Sequence, residues 1–299
     1  MSETRPSDLD CLVVGGGPAG LTAAIYLRRF ERSVLLVDAG ASRALRIPRA
    51  HNYPGFPAGI PGPRLLQRLR RQLGAAGGAV TAERVTRLVR ARDAFDADAG
   101  AATVRARRVL LATGVVDREP ALPGLDEVRA LGRLRMCPVC DGHEFRGARL
   151  VVFGSDAHAL REAEFLSAFS TDIRLVAVSG TPPGAAAVET ARQRQRAWWP
   201  HAAAALAAHG ETVVVQAADG ARLHCDVVYL ALGVTPTSAL ARDLGAALTD
   251  TGTIRIDPHG QTSVPGLYAA GDVVDALDQL AVAAGQAAIA ATAIHNSLR

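Results

Sequence analysis

The sequence predicts an α/β fold of two three-layer units, the second inserted into the first, and three observations carry that expectation. The apolar run Cys11-Leu12-Val13-Val14 leads straight into Gly15-Gly16-Gly17-Pro18-Ala19-Gly20 and a helical stretch, a strand–turn–helix start. The same order begins afresh at Arg149-Leu150-Val151-Val152-Phe153-Gly154. Near the C-terminus, Leu267-Tyr268-Ala269-Ala270 reads as one more strand, followed by Gly271-Asp272 and an Ala-rich helix.

The elements between these landmarks follow from periodicity and punctuation. Residues 21–30 predict a helix and 34–38 the next strand, which completes a βαβ unit. Pro61 and Pro63 punctuate before a helix over 64–73. Alternation over 80–90 and 103–106 suggests antiparallel strands, and 109–114 returns as a buried strand. In the second unit a helix is expected from about Ala157 and a strand over 173–178, then a loop at Pro182-Pro183-Gly184. Strands are expected at 213–216 and 227–232, a return hinge at Gly233-Val234-Thr235-Pro236, and strands near 254–256 and 267–270. The expected organisation is two Rossmann-like dinucleotide-binding domains. The first part of one spans 1–116, the insert spans 117–235, and the first domain resumes over 236–299.

Composition bounds the function. At 299 residues the chain is long enough for two cores, and 49% hydrophobic with 21% charged residues is ordinary for a globular protein. A net charge of +4, with arginines scattered along the chain, argues against nucleic-acid binding. No lysine occurs, so Schiff-base chemistry at a lysine is excluded. The first ten residues carry no apolar core of a signal peptide. The stretch 280–294 is too short and too weakly hydrophobic to span a bilayer, so no membrane association is expected. Four cysteines make no secreted disulfide framework, and a cytoplasmic enzyme is expected.

Gly15, Gly17 and Gly20 satisfy GxGxxG between a strand and a helix. In that setting the first glycine allows the tight turn, the second admits a pyrophosphate, and the third lets helix and strand pack. The helix N-terminus faces the anion. Asp38 ends the second strand eighteen positions after Gly20, close to where a ribose-binding carboxylate belongs. A glycine-rich turn without a ligand is the competing reading, but turn, helix and acid agree.

Cys137-Pro138-Val139-Cys140-Asp141-Gly142 lies midway between the two nucleotide signatures. A CxxC pair cycles between dithiol and disulfide, and its two electrons match what a flavin carries. The adjacent Asp141 is placed to shuttle the proton that thiolate chemistry requires. A zinc half-site or two buried thiols compete with this reading. Zinc wants four ligands, whereas Cys11 lies in a strand and Cys225 is solitary, so no metal site is expected and those two read as core thiols. His51 and His143 are candidates for proton transfer or exposed turn histidines. Trp198-Trp199 reads as packing, with partner docking the alternative.

With these residues in order, the chain resembles the low-molecular-weight thioredoxin reductases, flavoproteins of the pyridine nucleotide–disulfide oxidoreductase superfamily. The resembling segments are 15–20, Asn52-Tyr53-Pro54-Gly55-Phe56-Pro57, Ala112-Thr113-Gly114, 137–142, and 262–266 through 271–273. The resemblance implies that Gly15, Gly17, Gly20 and Asp38 hold the FAD pyrophosphate and ribose, with Asn52, Thr113, Gly114 and Gly271 also at the cofactor. It implies that Asp272 binds the ribityl chain and that Gln279, Leu280 and Ala281 line the isoalloxazine. It further implies that Cys140 exchanges electrons with FAD and Cys137 with the external partner, and that the protein is a homodimer.

The family pattern breaks in the insert. The second glycine motif reads Gly154-Ser155-Asp156-Ala157-His158-Ala159, so a carboxylate stands where a pyrophosphate must approach. No arginine occurs between Arg174 and Arg192 to meet a 2′-phosphate. The NADPH site is therefore degenerate, while the FAD and dithiol motifs are intact. The expectation is an FAD-dependent thiol–disulfide oxidoreductase without efficient NADPH use. Its partner would be a thioredoxin-like protein or a small-molecule dithiol or disulfide. Its electrons would come from a protein donor such as ferredoxin, or it would run as a dithiol oxidase. The alternatives are an ordinary NADPH-dependent thioredoxin reductase and, in another class, a non-catalytic flavin-binding redox sensor.

Overall fold

The computed structural model describes residues 8–178, 180–194 and 196–299, and Ser179, at the end of the expected strand over 173–178, lies outside them. The residues before Asp8, on which the expectation of no signal peptide rests, also lie outside. The chain forms two compact units, one made of residues up to Val116 and from Thr235 onward, the other of Asp117–Val234.

The first segment runs β1 (Leu9–Val14), α1 (Pro18–Arg29), β2 (Val34–Val37), a 3-10 turn (Arg43–Arg46), α2 (Gly62–Ala75), β3 (Val80–Thr81), β4 (Val85–Ala91), β5 (Ala94–Ala99), β6 (Ala102–Leu111) and β7 (Val115–Asp117). The insert contains α3 (Leu125–Ala130), β8 (Leu134–Arg135), α4 (Pro138–Asp141), β9 (Leu150–Phe153), α5 (Ala157–Leu166) and β10 (Ile173–Val176). It continues with α6 (Ala185–Gln193), β11 (Ala203–His209), β12 (Thr212–Ala217), β13 (Arg222–Cys225), β14 (Val227–Leu230) and β15 (Val234–Pro236). The chain then returns through α7 (Ala239–Asp243), β16 (Leu267–Ala269) and α8 (Leu280–Asn296).

In the first unit β3, β2, β1 and β6 lie side by side, and β16 joins β6. β1 is parallel to β2, with Cys11 opposite Val34, and to β6, with Val14 opposite Leu111. One face of this sheet packs on α1, α2 and α8 through small and branched residues such as Ala23, Leu27, Leu66, Ala287 and Ile294. The other face meets Phe95, Ala241 and Ile254. α1 starts with Pro18 in its first turn, where a missing N–H costs nothing, and ends with Arg28 and Arg29 beside its negative pole.

Several strands differ from the sequence expectation, each for a local reason. Residues 103–106 and 109–111 are one strand, β6. Its first half pairs antiparallel with β5 and its second half runs parallel to β16. β5 carries Asp96 and Asp98, which disfavour a strand, yet these pair across the sheet with Arg105 and Arg87. Val80–Thr81 is a separate short strand parallel to β2. Residues 254–256 form no strand: Ile254 makes only isolated bridges, to Leu248 and Val274.

In the second unit β10, β9, β14 and β8 form a parallel sheet, and β11, β12 and β13 an antiparallel one. β11 is Ala-rich and weakly strand-forming by itself, and its register against Val213, Val214 and Val215 holds it extended. Trp198 and Trp199 pack against the two cores of this unit. Cys11 and Cys225 are buried free thiols. Burial pushes both thiols up, Cys225 to about 12, so neither is a ready thiolate. Among the described residues no helix is long and apolar enough to cross a membrane.

A pair of glycine replacements separates packing from flexibility. A Cβ on Gly20 would lie 1.8 Å from the Gly15 carbonyl oxygen, whereas one on Gly74, late in α2, would meet nothing within 4 Å. Gly20→Ala is therefore expected to lose about 2 kcal/mol or more through overpacking. Gly74→Ala is expected to gain about 0.5–1 kcal/mol from helix propensity. Denaturant unfolding of both variants checks the signs.

Candidate active site

The first nucleotide cradle lies where β1 hands over to α1. Gly15 has φ +106°, and a Cβ there would sit 2.3 Å from the Ala112 carbonyl oxygen. Gly16 lies against the Asp38 carboxyl, 2.5 Å from Cγ to an added Cβ. Gly17 differs: an added Cβ would meet only Ser42 Oγ, at 3.3 Å. The fold itself therefore explains Gly15, Gly16 and Gly20, and leaves Gly17 open toward whatever approaches the turn. Gly17 is also the N-cap of α1, and no side chain caps the helix there. The first-turn N–H groups of α1 thus form the positive pole of a twelve-residue helix whose first turn carries no acidic side chain.

Around this turn the unit gathers the other residues singled out from the sequence. Asp38 is 7% exposed, and its Oδ2 accepts from Arg70 Nη2 at 3.2 Å. Asp272 Oδ2 accepts from Arg43 Nη1 at 3.1 Å, and the same nitrogen reaches Asp278 Oδ2 at 3.2 Å. Gly271 N donates to Gln286 Oε1, and Thr113 Oγ1 donates to the Thr237 carbonyl. Asn52 Nδ2 donates to Gln279 Oε1 at 2.8 Å, tying the 52–57 loop to the start of α8, where Gln279 is the N-cap and Leu280 and Ala281 open the helix. His51 is exposed.

The cysteine pair sits in the second unit on α4. Cys137 and Cys140 are disulfide-bonded, with Cα atoms 5.3 Å apart. Pro138 begins the turn, and Cys140 N donates to the Cys137 carbonyl at 3.1 Å. Gly142 has no room for a Cβ, which would lie 2.8 Å from the Pro138 carbonyl oxygen. Asp141 is held from two directions. Tyr229 OH donates to its Oδ1 at 2.9 Å, and Arg135 Nε pairs with its Oδ2 at 3.1 Å. The Arg135 guanidinium also lies over the Phe145 ring. Burial, then the Asp141 charge and hydrogen bond, push the Tyr229 phenol far up, so it is a fixed donor. His143 is exposed, with Nδ1 3.2 Å from Arg146 Nη2.

The second strand–turn–helix repeats the backbone of the first but not its chemistry. Gly154 is needed for packing, since an added Cβ would lie 2.4 Å from Ala159 Cβ. Asp156 is the N-cap of α5, and its Oδ1 accepts from His158 N at 2.9 Å and Ala159 N at 3.3 Å. A carboxylate of the chain itself thus takes the amides that an external anion would use. His158 Nε2 pairs with Glu162 Oε1 at 3.1 Å, and that hydrogen bond raises the imidazole's pKa. Arg192 and Arg194, at the end of α6, pair with Glu189 and Glu164.

Contributors not singled out from the sequence include Arg43, Arg70, Arg135, Tyr229 and Asp278. Tyr229 left a readable trace, because a hydroxyl inside the run Val227-Val228-Tyr229-Leu230 needs a partner when buried. The arginines had no local signal, since Arg43 and Asp272 are 229 positions apart.

Known proteins place this arrangement in context. The family model "Pyridine nucleotide-disulphide oxidoreductase" matches residues 9–288. The chain is 31% identical over 302 residues to the thioredoxin reductase of Treponema pallidum, covering 96% of each. The crystal structure of thioredoxin reductase from Streptococcus pyogenes superposes with a TM-score of 0.87 at 26% identity, covering 98% of this chain and 99% of that one. The crystal structure of HlmI gives 0.89 at 28% identity, covering 100% and 95%. The chain belongs to the pyridine nucleotide-disulphide oxidoreductase family, as a thioredoxin reductase-like, FAD-dependent thiol–disulfide oxidoreductase in which Cys137 and Cys140 form a disulfide.

Proposed function

We propose that this protein exchanges dithiol and disulfide with a thioredoxin-like protein or a small-molecule partner, and that it does so without efficient use of NADPH. The observation that carries this reading is the contrast between two helix starts. α1 has no side-chain cap, whereas α5 is capped by Asp156. FAD fits the first cradle: the α1 amides and Gly17 would face its pyrophosphate, and Asp38 its ribose. Asp272, Asn52 and the start of α8 would meet the rest of the cofactor. When bound, FAD supplies a two-electron acceptor or donor for the cysteine pair.

The chain's own chemistry is the exchange. In the dithiol-oxidising direction a partner thiolate attacks Cys137 Sγ, the Cys137–Cys140 bond breaks, and Cys140 leaves as thiolate. The partner's second thiolate then displaces Cys137 and leaves as the partner's disulfide, with the pair holding two electrons. The reductase direction is the reverse. Electrons would reach the pair from a protein donor such as ferredoxin or leave it to oxygen. An ordinary NADPH-dependent reductase is the second reading, favoured by the retained Gly154 and Ala159 packing of the second motif.

Four measurements test this. Gly17→Asp should leave the fold unchanged, because little in the protein opposes it, yet the purified protein should lose its flavin absorbance. Full flavin retention would count against the assignment. Cys137→Ser and Cys140→Ser should each stop disulfide turnover, and the long-wavelength absorbance of a thiolate against bound flavin should survive only in Cys137→Ser. Survival only in Cys140→Ser would exchange the two roles. Stopped-flow reduction should show NADPH weakened from the micromolar toward the millimolar range by lost contacts of about 1 kcal/mol or more each. Rapid reduction saturating at micromolar NADPH would restore the ordinary reductase. Peroxide formed from a dithiol in air would mark the oxidase direction, and anaerobic reduction by ferredoxin the reductase direction.

A further inference from the structure

We infer that Tyr229 is a positioning residue for Asp141, its hydroxyl fixing the carboxylate beside the redox disulfide and setting the pH range over which Asp141 takes up and returns a proton. The inference rests on the thiol–disulfide reading for its function, but its geometry stands independently. Tyr229 lies on β14 between β9 and β8, with Val152 and Arg135 as its ladder partners. Residues opposite one another in a parallel pair project from the same face of the sheet. The register of β8 on β14 therefore delivers a phenol and a guanidinium to one place, and both end on Asp141, one to each carboxylate oxygen. Tyr229 is fully buried and Asp141 is 14% exposed, so the hydrogen bond is not exchanged freely for water.

Two strands supply partners to this carboxylate. Tyr229 comes from β14 and Arg135 from β8, and Asp141 itself directly follows Cys140 of the disulfide in α4. Glu144 adds negative charge on the Tyr229 side. His143 is turned to Arg146. A donor hydrogen bond to a carboxylate favours its ionised form, so the Tyr229 hydroxyl and the Arg135 charge act in the same direction.

In the exchange, the proton of an incoming thiol passes to Asp141 as that sulfur attacks Cys137 Sγ. The S–S electron pair leaves on Cys140 Sγ, and Asp141 returns the proton to that thiolate. Proton and electron pair balance without any further reactant. The Tyr229 hydroxyl stays protonated throughout and acts only by holding and tuning its neighbour.

Tyr229→Phe keeps the ring and removes only the hydroxyl. Two readouts test it on the flavin-loaded protein. A carbon NMR titration of the Asp141 carboxyl in the disulfide form needs no turnover, and the variant's midpoint should rise by about one pH unit, the equivalent of one modest hydrogen bond. The acidic limb of kcat/KM for dithiol–disulfide exchange should rise by the same amount. In an Asp141→Asn background Tyr229→Phe should shift nothing further, which a purely structural contribution would not reproduce. An unmoved Asp141 titration overturns the inference, even if the variant is less stable. A moved titration in a protein whose wild type exchanges no dithiol would sink the functional reading instead.

Discussion

The close approach of α1 to the loop after β1 is the contact on which the first unit depends. Gly20 lies so near the Gly15 carbonyl that no side chain fits between them, and Gly15 is itself pressed against the Ala112 carbonyl. β1, β6 and α1 are thereby locked around one turn, with Ala-rich α8 packed behind it. Small residues on both helices permit that packing. The glycines thus define where the N-terminus of α1 stands, and everything the cradle presents to a ligand is measured from that point.

A helix start leaves amides that something must satisfy. The two units solve the problem in opposite ways on similar backbones. In α1 the N-cap is Gly17, which has no side chain to answer them, and the proposed anion site rests on that opening. In α5 the Asp156 carboxylate answers two of them, which stabilises the helix locally by about 1 kcal/mol and fills the place of an external anion. The proposal that NADPH is used poorly rests on this one residue, which caps the helix in place of an external anion. The same proposal draws on Arg192 and Arg194, which are already paired with Glu189 and Glu164.

Within each unit the singled-out carboxylates share another property: each is held by a cationic or phenolic partner from another part of the chain. Arg70 holds Asp38, Arg43 bridges Asp272 and Asp278, and Arg135 with Tyr229 holds Asp141. Half-buried ion pairs of this kind add little net stability, because desolvation offsets much of the attraction. Their effect is geometric, since a carboxylate fixed at one oxygen keeps the other in a defined direction.

The strand–glycine–helix turns, the cysteine turn and the likeness to a family are legible in the sequence, because each is a contiguous pattern whose physics is local. A φ above zero, a missing Cβ or a CxxC spacing does not need the rest of the chain to be recognised. The sequence also exposed the departure at Asp156, since charge at a fixed motif position is read directly. Tertiary structure alone decided the rest. It merged two apparent strands into β6, because an alternating half and a buried half answer to different neighbours. It recruited β5 despite its aspartates and β11 despite its alanines, because cross-strand partners outweigh intrinsic propensity. It turned Asp156 from an obstruction into a helix cap, and it brought Tyr229 and Arg135 together on Asp141. Those contacts join residues up to 88 positions apart, and only the register of β8 on β14 makes them neighbours.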